Sequence, residues 1–176
     1  MKKIVLVFLT FFLSINSNAG NWYIGPSLAF ADNTADHTSY RGVNPKLSLG
    51  YGTFYTPHIY LGTELNASFN TLTLSSTTAN NAENIKITNS YAAGILPGVK
   101  LSDETLAFLR LGVVNSYFNS VKTRSSGGQV GFGLQTYFFD DWDVRGEFIY
   151  TGYNSLSGIH SPESSTFVLS FIHSFF

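Results

Sequence analysis

The chain has no cysteine, no methionine after the initiator, and only 12% charged residues in 176. Without cysteine, neither a disulfide framework nor a thiolate metal site can form. Soluble globular proteins carry roughly 25% charged residues, so this chain has too few for an ordinary wetted surface. The formal charge of −1 and the lack of any basic run exclude a nucleic acid as partner. Heptads and Pro- or Ser-rich linkers are missing as well. No stretch beyond residue 19 is apolar enough for a membrane helix, so any embedding in a membrane falls to strands.

What is present begins with Lys2 and Lys3, the apolar run Ile4–Ile15, and the small residues Ser17-Asn18-Ala19. That order describes a secretory signal peptide over 1–19, since an apolar core of about 12 residues falls short of the roughly 20 a spanning helix needs. The expected mature domain is 20–176, with 8 basic and 11 acidic residues and a net charge of −3. Eight segments of it alternate with period two: Asn21–Phe30, Asn44–Phe54, Ile59–Phe69, Ile87–Lys100, Leu106–Tyr117, Gln129–Phe139, Trp142–Thr151 and Ser165–Phe176. Each is near the roughly 9–11 residues of a tilted transmembrane strand. The links alternate long and short: 31–43, 55–58, 70–86, 101–105, 118–128, 140–141 and 152–164. Such alternation collects every long loop at one end of an up-and-down barrel. The expected fold is therefore all-β, an eight-stranded antiparallel transmembrane barrel.

Parity distinguishes the two faces. One carries Trp22, Ile24, Leu28, Leu47, Leu49, Leu109, Leu111, Val113, Val130, Phe132 and Phe148; the other is small, with Ser27, Ala29, Ser48, Gly50, Gly94, Gly131 and Gly133. A narrow lumen filled by its own side chains needs small residues beside a few long ones. The long ones on that face are Glu64, Arg110, Arg145 and Glu147, which predict a balanced charge cluster inside the barrel. Turning them outward would cost roughly 2–4 kcal/mol for each arginine near the bilayer midplane. Aromatics gather at strand ends, with Trp22, Tyr23, Phe30, Phe54, Tyr55, Tyr117, Phe118, Tyr137, Phe138, Phe139, Trp142, Phe175 and Phe176 as an expected interfacial girdle. In the last segment Phe167, Leu169, Phe171 and Phe175 share the outward parity, which one residue of slip would reverse.

NWYIGPSLAF (21–30), FLRLGV (108–113), GFGLQTYFF (131–139), DDWDVRGEFIYT (140–151) and a final strand ending in Phe resemble the small outer-membrane barrels of Gram-negative bacteria, of the OmpA-barrel, OmpX and opacity-protein kind. The resemblance implies an outer-membrane location with both termini periplasmic, and contact with outer-membrane lipid and lipopolysaccharide. It also implies a terminal aromatic, Phe175 or Phe176, read by the barrel-assembly machinery.

The expectation is a monomeric, non-enzymatic barrel without cofactor or metal, whose external loops serve adhesion, host-factor binding or envelope integrity. Three other readings compete with it. A lipid A-modifying hydrolase would need a Ser–His–carboxylate set, for which His160, Ser161 and Glu163 are the nearby trio. A narrow small-solute pore would need an open lumen. A soluble lipocalin-like carrier would turn the apolar face inward. His37, His58, His160 and His173 lack metal-ligand spacing.

Overall fold

A computed structural model describes residues 20–35, 38–69, 71–76, 86–119, 122–155 and 162–175. The expected signal peptide, together with His37, His160, Ser161 and Phe176, lies outside the described residues. The strands are β1 (Asn21–Ala35), β2 (Thr38–Phe54), β3 (Ile59–Phe69), β4 (Leu72–Ser76), β5 (Ile87–Lys100), β6 (Thr105–Phe118), β7 (Thr123–Phe139), β8 (Trp142–Tyr153) and β9 (Glu163–Phe175). Every pairing is antiparallel, and β9 returns to β1. Strand β4 joins the edge of β2 that β3 uses further along, so the two form a single stave. The result is an eight-staved closed barrel. The return of β9 to β1 removes the two open edges that a sheet in hydrocarbon could not keep.

The long links are shorter than expected. Strands β1 and β2 pair in register from Asn21↔Gly52 to Ala35↔Thr38, so 31–43 is mostly ladder rather than loop. Pairing between β6 and β7 continues to Phe118↔Thr123, and between β8 and β9 to Gly152↔Glu163. Asn, Ser and Thr favour turns locally, but once neighbouring chains are in register each added pair satisfies further backbone groups. Tertiary pairing thus overrides the local preference. These hairpins rise from one end of the barrel.

The other end has short turns, as expected. Thr56 Oγ1 accepts the backbone N–H of Ile59 at 3.0 Å. Lys100 Nζ meets Asp103 Oδ1 at 2.9 Å, and this bond holds the Asp103 carboxyl below its usual range. Asp140 adopts φ 46°, a left-handed conformation that Asp tolerates better than most residues.

The outer wall is apolar, with Trp22, Leu28, Leu47, Leu109, Leu111, Val130 and Phe132 exposed. Inside, Ser27, Ala29, Ser48, Asn66, Ser116 and Ser170 are buried. The last strand keeps the expected parity: Phe167, Leu169, Phe171 and Phe175 are exposed, whereas Val168 and Ile172 are buried. Two girdle assignments are corrected. Tyr23 (3% exposed) and Phe118 (1%) point into the lumen, because strict alternation continues to the strand ends and overrides their interfacial position. Phe118 packs edge-on against Tyr153, with ring centroids 5.3 Å apart. The small inward residues make room for rings: Tyr23 lies over Gly50, Tyr60 over Gly52, and Phe108 over Gly133.

Candidate functional site: the charged layer in the lumen

Strand β3 supplies Glu64, β6 supplies Arg110, and β8 supplies Arg145 and Glu147, all at inward positions. The structure brings the four together. Arg110 donates from Nη2 to Glu64 Oε1 at 2.5 Å and to Glu147 Oε2 at 3.1 Å, and from Nε to Glu147 Oε1. Arg145 donates from Nη1 to Glu64 Oε2. Each of the four is at most 3% exposed. Two carboxylates and two guanidiniums therefore share one hydrogen-bonded layer, which compensates charges that a dry interior could not hold singly.

Other residues complete the layer. The Tyr23 hydroxyl donates to Glu64 Oε2 at 2.8 Å. The guanidinium of Arg145 sits between the Tyr23 and Phe108 rings, 5.0 and 5.1 Å from their centroids. Its Nε and Nη2 donate to Gln135 Oε1 at 2.9 and 2.7 Å, and Gln135 Nε2 donates to Asp143 Oδ2 at 2.6 Å. Parity alone could have found Tyr23, Gln135 and Phe108, since all three occupy the inward register. Gln135 already reads as inward beside Gly131 and Gly133, whereas Tyr23 reads as girdle from its place near the strand end, and Phe108 carries no charge to mark it.

Chemically the layer is a set of compensated charges, in which both oxygens of Glu64 and both of Glu147 accept from donors. Tyr60, Leu96, Leu106 and Phe108 form an apolar cluster on the short-turn side. Two cavities flank the layer: one of about 60 Å³ toward the hairpins and one of about 300 Å³ toward the short turns. Of the hydrolase trio, Glu163 is exposed at the start of β9, and the other two lie outside the described residues. His173 stacks on Trp142, with centroids 4.7 Å apart, and His58 sits in an exposed turn. The girdle holds for Trp22, Phe30, Phe54, Tyr55, Tyr137, Phe138, Phe139 and Phe175, all exposed.

A closed sheet with a greasy outside and a hydrogen-bonded ionic interior defines a transmembrane β-barrel. Residues 4–175 match the family described as the outer membrane protein beta-barrel domain, and the chain belongs to that family. Its location is the outer membrane. Among solved structures, the chain is similar to neisserial surface protein A, with TM-score 0.57 and 14% identity over 90% of this chain and 100% of that one. It is also similar to Ail, the attachment invasion locus protein of Yersinia pestis, with TM-score 0.56 and 12% identity over the same shares, 90% and 100%. The complex of Ail with the heparin analogue sucrose octasulfate gives TM-score 0.54 and 15% identity, again over 90% and 100%. At these identities the likeness is one of fold. Comparison with curated protein sequences finds no match.

Proposed function

We propose that this barrel is a non-enzymatic frame for surface recognition, whose hairpin end faces the cell exterior and binds a host or surface ligand. The observation that carries this reading is the unbroken β1–β2 ladder up to Ala35↔Thr38, which makes the wall above the girdle a rigid sheet. Recognition residues usually ride on segments held by a rigid frame. Polar side chains ornament that wall. Arg41 Nε pairs with Asp32 Oδ2 at 2.9 Å. Arg124 donates to Asn115 Oδ1 at 3.0 Å and lies over the rings of Tyr91 and Tyr117. The name of one similar protein, an attachment invasion locus protein, agrees with adhesion as the role.

In this reading the signal peptide 1–19 directs export and both termini stay in the periplasm. The assembly machinery reads Phe175 and Phe176, and the outer wall of a monomeric barrel is solvated by lipid and lipopolysaccharide. Envelope integrity is the neighbouring role, served by the same wall. The test is display of the barrel on a non-adherent strain, with 32–41 replaced by a two-residue Asn-Gly turn and binding to host cells and serum proteins measured. Binding is expected to fall to background while heat-modifiable gel mobility, the sign of a folded barrel, persists. Full binding after trimming this hairpin and, separately, the β6–β7 hairpin would reject recognition by the hairpins. The non-enzymatic part has its own test: a changed lipid A mass spectrum in expressing cells, abolished by Ser161→Ala, would overturn it.

A further inference from the structure

We infer that the cavity on the hairpin side of the charged layer binds a small monovalent inorganic anion of halide size, with Lys46 as its counter-charge. Lys46 stands opposite Ser27 on one neighbour and Ser68 on the other, at an inward position of β2. It lines the cavity of about 60 Å³ together with Asn33, Asn44, Asn66, Ser90 and Gln129. The carboxylates nearest to it are already committed, Glu64 to Arg110, Arg145 and Tyr23, and Glu147 to Arg110. The third inward carboxylate, Asp143, bonds to Gln135 and lines the opposite cavity. Among the described residues the ion pairs use Arg41, Lys100, Arg110 and Arg145, and none uses Lys46. Among the described residues, the hairpin side of the lumen therefore holds a half-buried cation whose neighbouring carboxylates are already bonded to arginines, a setting in which a mobile counter-ion is favoured.

A second, independent feature points the same way. Asn66 is 6% exposed, and its Oδ1 accepts the Ser48 hydroxyl at 2.6 Å, which leaves Nδ2 buried without a partner. Asn66, which carries that unpaired N–H donor, lines the same cavity as Lys46. Asn33 Oδ1 and Asn44 Oδ1 are also buried and unpaired, and as acceptors they suit the waters that would accompany the anion. A water-sized particle needs roughly 10–15 Å³, so the cavity admits a halide with a few waters and excludes a sugar or a phosphate ester. The layer beneath it, sealed by Arg110, Arg145 and their partners, makes this a site of residence rather than passage. Nothing in this inference depends on surface recognition.

The experiment uses the refolded full barrel in detergent, with bromide as the probe. Crystals grown in bromide are expected to show an anomalous peak beside Lys46 Nζ. The thermal midpoint should rise with chloride at fixed ionic strength when gluconate, too large for the cavity, is the replaced anion. Lys46→Met should weaken the halide dependence at least about tenfold, as loss of one charged hydrogen bond implies. A cavity holding water alone, a midpoint indifferent to the identity of the anion, or an unchanged halide dependence in Lys46→Met would each overturn the site. Should Lys46→Met not fold, the bromide map of the natural protein decides.

Discussion

At the scale of single residues, the barrel turns on Arg110. It contributes bonds to both Glu64 and Glu147, so its removal leaves Glu147 with no cationic partner and Glu64 with one. Breaking a buried ion network from one side costs roughly 3–5 kcal/mol, whereas replacing both partners by apolar groups of similar size is often near neutral. Arg110→Met is therefore expected to lower the urea unfolding free energy of the vesicle-refolded barrel by about that amount, and Arg110→Met with Glu147→Met to recover much of it. Equal losses in the single and double variants would mean the pair is packing filler. A steric test sits beside it. The Tyr23 ring occupies the space a side chain at Gly50 would need, so Gly50→Val should displace the hydroxyl from Glu64 and cost about 1–3 kcal/mol. Fluorescence-monitored unfolding reads this, and an unchanged midpoint would show that the ring moves freely. Glu64, Arg110, Arg145 and Glu147 were legible because ionised groups stand out on a face of small residues. Lys46 shares that inward register but lies near the strand's expected start, two residues from Asn44, where parity had little sequence to act on.

At the scale of elements, the strand count and the three short turns follow from period-two alternation and turn chemistry alone. Strand length does not. Residues 31–43 contain Asn33, Thr34, Thr38, Ser39 and Gly42, a composition that locally favours turns, yet Asn33↔Tyr40 and Gly42↔Ala31 are ladder pairs. The deciding bonds are made to another strand, and a single stretch of sequence does not display them. The small strand β4 has no signature in the sequence for the same reason, since it exists by pairing with β2 between Tyr40 and Val43. Hydrogen exchange checks the point. Amides of Asn33 and Tyr40 are expected to exchange far more slowly than an unpaired loop would, with protection fading toward the tip. Loop-like exchange starting at Ala31 would return 31–43 to the long loop that composition suggests. Two prolines mark weak points in the ladders. The β1–β9 register lacks pairs at Gly25 and Pro26, and the β5–β6 register lacks them at Leu96 and Pro97, because proline has no N–H to offer.

At the scale of the whole molecule, the barrel inverts the usual arrangement, with its ions at the centre and its grease outside. That inversion makes a depth-dependent prediction that a water-soluble barrel would fail. Leu111 lies midway along β6 and is 48% exposed, whereas Phe139 ends β7 at the short-turn rim and is 49% exposed. In water the two positions would be equivalent, and arginine at either would cost little. In a bilayer, arginine costs roughly 2–4 kcal/mol at the midplane and about 0–1 kcal/mol near an interface. Leu111→Arg is therefore expected to destabilise the vesicle-refolded barrel by several times as much as Phe139→Arg, and the gap should narrow in thinner bilayers as the guanidinium reaches headgroups. Equal and small penalties at both positions would mean that the apolar wall faces water, and the ionic layer could then no longer be the one region of the molecule that hydrocarbon forces inward.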